Sequence, residues 1–182
     1  LSDLLVFGKR AGAAAAERAK TATATPPTPA VLAEAEAEAL QPFTNEGGEN
    51  PYTVWSTLQQ AMQELVGIIR NGDEVREALR VIEDLKTKTL TVTGDRVFNP
   101  GWNLAIDLTN LLRVSECIAK AAIEREESRG GHTRDEFPLP SAEWGKLNLV
   151  CTLNDEGHID LTRKDLPQMP AELATIFEEA AK

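Results

Sequence analysis

Two Asn-Pro pairs, Asn50-Pro51 and Asn99-Pro100, each stand directly before an apolar stripe of helical period. Asparagine caps a helix with its side-chain oxygen, and proline is pre-set for the first helical turn. After the first pair, Val54, Leu58, Ala61, Leu65 and Ile68 repeat at four-three spacing. Asn71-Gly72 is expected to end this helix, with Asp73 capping the next. Val75, Leu79, Ile82 and Leu85 form the second stripe. The pattern fails from Thr87 to Thr93, and Gly94 marks a turn. After the second pair, Leu104, Leu108, Leu111, Ser115, Ile118 and Ala122 make the third stripe, widened by Trp102, Ile106 and Leu112. Gly130-Gly131 is expected to stop it. Short connections favour antiparallel neighbours, so the expected fold is mainly α, an up-down-up three-helix bundle over 50–138.

The flanks read differently. Residues 2–20 have helical spacing, with Ser2 or Asp3 at the start and a face of small residues, Gly8, Gly12, Ala15, Ala16 and Ala19. Small residues permit close approach to another element but bury little apolar area alone. Residues 21–49 read as a linker: Thr/Pro-rich to residue 30, a short exposed Ala/Glu helix over 31–40, then loop. After residue 138 the period becomes two. Leu147, Leu149 and Cys151 alternate with polar positions, Asn154-Asp155-Glu156-Gly157 is a turn, and alternation resumes over 158–162. That is a β-hairpin. A short helix is expected over 171–180, within a final region spanning 139–182. The opening at Leu1 rather than Met points to a chain with sequence preceding it.

A net charge of −10 lacks the basic footprint of a nucleic-acid binder and excludes docking by charge on an anionic membrane. No apolar run approaches the ~20 residues of a membrane span. Cys117 and Cys151 fall in different elements, so they read as reduced, buried thiols rather than a metal or CxxC site. Glu34, Glu36 and Glu38 lack metal-ligand spacing. Trp55, Trp102 and Trp144 stand at element starts and read as core. The run Glu124-Arg125-Glu126-Glu127 reads as a solvated helix end, and His158 as a strand residue.

Arg129, His132 and Arg134 form one dense polar cluster, with Ser128 beside it. Arginine binds carboxylates through two parallel hydrogen bonds, so a dicarboxylate site is one reading of the cluster. A structural ion-pair network is the other.

Two stretches resemble a known family. Leu1-Ser2-Asp3-Leu4-Leu5-Val6-Phe7-Gly8-Lys9-Arg10-Ala11-Gly12 is similar to the segment closing the FAD-binding domain of succinate dehydrogenase and fumarate reductase flavoproteins. Ser128-Arg129-Gly130-Gly131-His132-Thr133-Arg134-Asp135-Glu136-Phe137-Pro138 resembles the S-R-G-A-H-x-R-x-D-F/Y-P motif following their C-terminal helical bundle. Gly131 replaces a commoner alanine, and the acid pair Asp135-Glu136 is reversed, which leaves the ion-pair partner of either acid open.

The resemblance implies a parent enzyme oxidising succinate to fumarate with FAD. Electrons would pass to an iron–sulfur subunit and on to membrane anchor subunits, on the cytoplasmic face of the inner membrane. It places no catalytic residue and no metal ligand in this chain. It implies that the backbone N–H of Leu1 faces the flavin ring, where a helix N-terminus favours the charge of reduced flavin. Ser128, Arg129, His132 and Arg134 would then lock the bundle onto the flavin domain. Alternatives are a fumarate reductase or L-aspartate oxidase flavoprotein, or a free-standing helical interaction module without enzyme activity.

Overall fold

The computed structural model describes residues 2–173 and Ile176. The chain divides into two compact units, Leu1–Ala39 and Leu40–Lys182. In the first, α1 (Ser2–Thr21) is helical throughout and has no buried residue. Leu4, Leu5, Val6 and Phe7 are all more than half exposed.

The second helix departs from expectation. α2 (Pro29–Thr44) begins before the Ala/Glu stretch and runs through what the sequence marked as loop. Pro29 occupies its first turn, where a missing N–H costs nothing. Pro42 lies inside its last turn and is buried. The Pro42 carbonyl accepts from Val92 N–H at 2.9 Å, and Phe43 meets the Trp102 ring edge-on at 5.3 Å. Gains outside the helix thus offset the bond that proline removes within it.

The bundle comprises α3 (Pro51–Leu65), α4 (Gly72–Lys86) and α5 (Pro100–Glu124), each packed on the other two. Both Asn-Pro pairs act as expected: Asn50 accepts from Tyr52 N–H at 2.9 Å and Asn99 from Trp102 N–H at 3.0 Å. Asn71 does not end α3. That helix stops at Leu65, and Asn71 caps α4 by accepting from Asp73 N–H at 2.9 Å. The intervening residues include strand β1 (Ile69–Arg70), and Ile68, expected in the core, is 75% exposed.

The core face of α5 is turned from the expected one. Leu108, Ser115 and Ala122 are buried as expected, but Leu111 and Ile118 face outward. Leu112 is buried as expected, and Ala105 and Ala119 complete the seam instead of Leu111 and Ile118. Alanines along α5, with Ala61 on α3 and Ala78 on α4, allow close packing that larger side chains would prevent. Gly130-Gly131 does not stop α5; the helix ends at Glu124, with Arg125 as its extended cap. Trp144 is buried, Trp102 half-buried, and Trp55 exposed.

β2 (Thr133–Arg134) pairs in parallel with β1, Arg70 opposite Arg134. The expected hairpin forms from β3 (Leu147–Leu153) and β4 (Ile159–Asp165), antiparallel in full register. Asn154 Oδ1 shapes its turn, accepting from Glu156 and His158 N–H, and Gly157 takes φ +81°. His158 is exposed just before β4. The hairpin lies on α5, where Lys120 donates to Ile159 O at 2.9 Å and to Glu116 at 2.6 Å. Cys117 and Cys151 are free, half-buried thiols, and Cys151 Sγ approaches Cys117 O at 3.9 Å. The helix expected over 171–180 lies mostly outside the described residues.

The burial pattern predicts unequal protection. In hydrogen exchange on the 182-residue chain, amides of 54–85 and 105–122 should exchange slowly, and those of 4–18 within the dead time of manual mixing. Slow exchange across 4–18 would show α1 packed on the rest of the chain.

Candidate functional site

The motif after α5 winds into a clasp around buried charge. Helices leave carbonyls unpaired at their C-termini and N–H groups unpaired at their N-termini. At the end of α5, Arg134 Nη1 donates to Ala122 O at 3.0 Å and Ile123 O at 2.9 Å. Its Nε donates to Glu136 Oε2 at 3.2 Å. Glu136 Oε1 in turn accepts from Gly72 N–H at 2.6 Å, the start of α4. One ion pair therefore spans the C-terminus of α5 and the N-terminus of α4, each charge set against the favourable helix end. This contact also runs α4 and α5 antiparallel. Arg134 is 3% exposed, and its guanidinium stacks on Phe137.

Glu127 is the second centre, and it overturns the reading of 124–127 as a solvated helix end. It is fully buried. Its carboxylate accepts from Arg125 Nη1 at 2.5 Å, Arg129 Nε at 3.0 Å and Ser141 N–H at 2.8 Å. A charge run looks solvated in sequence because chain reversal, not period, brings its partners together. Hydrogen bonds from Arg129 outweigh the opposing effect of burial, and with Ser141 and Arg125 hold its pKa at about 2. Glu136 is likewise held at about 2, first by Arg134. Arg129 also donates to Ser141 O at 2.9 Å, though its side chain stays 47% exposed.

Ser128 and His132 complete the clasp. Ser128 Oγ donates to Phe137 O at 2.8 Å and accepts from Arg134 N–H at 2.9 Å. Arg129 and His132 exchange backbone hydrogen bonds at 2.8 and 3.1 Å across Gly130-Gly131, and Gly130 takes φ +60°. That is a two-residue hairpin turn with glycine at its first central position. His132 Nδ1 lies 2.6 Å from Arg70 Nη1, and Nε2 lies 3.0 Å from Arg125 O. Arginine has only donors and a carbonyl only accepts, so the proton is assigned to Nε2 and the ring is neutral. Burial, then the Arg70, Arg134 and Arg125 charges, push its pKa below the usual range despite the Arg125 carbonyl. Arg70, absent from the sequence reading, also donates to Val66 O and Gly67 O at the end of α3. Burial and then Arg134 lower its pKa.

The structure thus brings Ser128, Arg129, His132 and Arg134 together and adds Arg70, Arg125, Glu127 and Glu136. Leu1, expected at the flavin, lies outside the described residues. Nothing among the described residues forms a glycine-rich cradle for a dinucleotide, so these side chains do not fit the role of holding FAD. Groups of His, Cys, Asp and Glu able to hold a metal are absent among the described residues.

The family model for the fumarate reductase flavoprotein C-terminal region matches residues 55–176, most of the bundle, clasp and hairpin. This chain belongs to that family. One fumarate reductase (CoM/CoB) chain, from Methanothermobacter marburgensis, is 32% identical over 82% of the chain. The Coxiella burnetii succinate dehydrogenase flavoprotein subunit is 32% identical over 87%. The Mycobacterium smegmatis Sdh1 structure in complex with UQ1 is 45% identical over 98% of the chain, with a TM-score of 0.86. The chain spans 27% of the length of each of these two curated relatives and 31% of that solved chain. The recognition of the succinate dehydrogenase and fumarate reductase flavoproteins from residues 1–12 and 128–138 therefore holds, as does the mainly α fold.

Two outcomes follow for this family member. Glu127→Gln removes the buried counter-charge of the part-buried Arg125 and the half-exposed Arg129 and should cost about 1–3 kcal/mol in a urea titration. Acidification should weaken the clasp in two stages. His132 has a folded pKa below 6.5, so its contribution is complete above 6.5 and is lost as pH falls through the folded value. The two carboxylates act lower, from 4.5 down towards 2. Urea midpoints measured against pH should show the first stage in the wild type and not in His132→Gln.

Proposed function

We propose that this chain is the C-terminal, non-catalytic portion of a flavoprotein subunit that oxidises succinate to fumarate, or reduces fumarate, with FAD. In the complete protein FAD accepts or supplies the hydride, and an iron–sulfur subunit with membrane anchor subunits takes electrons onward. The parent is an FAD-dependent oxidoreductase, and this portion supplies rigidity rather than chemistry. Among the described residues no helix is long and apolar enough to cross a membrane, which fits a peripheral subunit. The observation that carries the reading is the state of the clasp's groups. A carboxylate held at about 2 is a weak proton acceptor near neutral pH. Both nitrogens of His132 are already engaged. Ser128, Arg129, His132 and Arg134 then serve to shape the surface that meets the flavin domain, and Leu1 offers its backbone N–H to the ring.

The competing reading has Arg129, the most exposed of the clasp's arginines, gripping a substrate carboxylate. One preparation of the complete subunit separates them. Under the proposal, Arg129→Ala lowers melting temperature and flavin content together and leaves KM within about twofold. A steep rise in KM with normal flavin content and melting temperature would overturn it. The 182-residue chain alone, mixed with FAD and desalted, should show no flavin absorbance; stoichiometric yellow protein would contradict the assignment of FAD to other parts of the subunit.

A further inference from the structure

The chain's two cysteines meet at one place, outside the clasp. Cys117 lies on α5 and Cys151 on β3, 34 positions apart in sequence. The hairpin rests on α5 and brings Cys151 Sγ to 3.9 Å from the Cys117 carbonyl oxygen. The two thiol side chains are themselves hydrogen-bond neighbours. Both are free, and neither is sealed in the core, since each is half-buried. Their place in the chain matters as much as their closeness. Glu127, Ser128, Arg129, His132, Arg134 and Glu136 all lie between them in sequence. A bond between the two sulfurs would therefore close the chain into a ring around the clasp.

We propose that Cys117 and Cys151 form a reversible oxidation site, at which a hydroperoxide converts two thiols into a disulfide that latches the hairpin to α5. Thiols this close can be joined by side-chain rotation, without moving the helix past the strand. The chemistry balances. The Cys151 thiolate attacks one oxygen of hydrogen peroxide, leaving a sulfenic acid and releasing one water. The Cys117 sulfur then displaces the hydroxyl from that sulfenic sulfur, and a second water leaves. Two thiols lose two electrons and two protons, and the broken O–O bond takes them up. Roles follow from the surroundings. Burial, then the Cys151 thiol and the Glu116 charge, raise the Cys117 pKa against the opposing effect of Lys120. Cys117 is thus the poorer nucleophile towards free peroxide. It resolves the sulfenic acid instead, where proximity compensates for a small thiolate fraction. A thiol reductant reverses the bond by exchange. None of these steps uses flavin or the parent reaction, so their failure would leave the proposed function untouched.

The 182-residue chain has no other thiol, which makes the test direct. After peroxide treatment, intact mass should show monomers short of two hydrogens, and peptide mapping should join the Cys117 and Cys151 peptides. Closing a loop of this length should raise the melting temperature by roughly 5–10 °C over the reduced chain. In glutathione redox buffers, the folded chain should be half-oxidised at about a hundredfold less oxidising ratio than the chain in concentrated urea. Cys117→Ser treated with peroxide should carry a sulfenic acid on Cys151 that a cyclic 1,3-diketone traps, and Cys151→Ser should trap severalfold less at Cys117. The reverse order would overturn the assignment of roles. Both variants should lack the rise in melting temperature on oxidation. The wild-type comparison, oxidised against reduced, stands without either variant. Thiols that stay free, bonds formed only between chains, an unchanged melting temperature, or the same midpoint in folded and urea-unfolded chain would each overturn the proposal.

Discussion

The Arg134 guanidinium sets the arrangement of everything around it. It is nearly inaccessible to water, so each of its donors needs an acceptor. Carbonyls at the end of α5 and the Glu136 carboxylate supply them. Glu136 reaches the first N–H of α4, and the partner strand to Arg134 carries Arg70, which caps α3. All three bundle helices therefore meet in one hydrogen-bonded knot. Gly72 belongs to the same constraint: a Cβ there would stand 2.7 Å from Glu136 Oε1.

Charge balance explains why the knot holds together. Arg70, Arg125, Arg129 and Arg134 face only two carboxylates in the clasp, Glu127 and Glu136. The excess positive charge is met by backbone carbonyls: Val66 and Gly67 after α3, Ala122 and Ile123 in α5, Trp144 before the hairpin and Leu147 at its start. Helix C-termini carry about half a negative charge, so the carbonyls at the ends of α3 and α5 are strong acceptors. Neutral His132 adds another, and it could not do so as an imidazolium. The Arg125 and Arg163 guanidiniums both lie over the Trp144 ring, at 5.2 and 4.5 Å from its centroid. That ring joins the clasp to the hairpin, and Arg163 also pairs with Glu124 at the end of α5.

Features governed by local chemistry could be read from sequence. Both Asn-Pro helix starts, the Val75–Leu85 stripe of α4 and the Asn154–Gly157 turn behave as their residue types dictate. Features decided by distant partners could not. The α5 seam uses Ala105 and Ala119, which carry no hydrophobic signal comparable to Leu111 and Ile118. Pro42 continues α2 only because Val92 and Trp102 receive its last turn. In the site, the Ser128–Arg134 cluster stood out by density. Glu127 was hidden in a charge run, and Arg70 lies 62 residues from the histidine it binds. No periodicity links such positions.

The ladder between β1 and β2 is only two residues long, yet it joins chain segments more than sixty positions apart. Closing so large a loop carries an entropic cost that two strand residues repay poorly. Helical contacts between α3, α4 and α5 are far more local and shorten that loop as they form. The order of assembly should therefore run from bundle to clasp, with the Arg134 guanidinium desolvated last. The motif reports that the helices have met in the right register. A chain whose α5 is misplaced by one turn would have no carbonyls at the positions where Arg134 needs them.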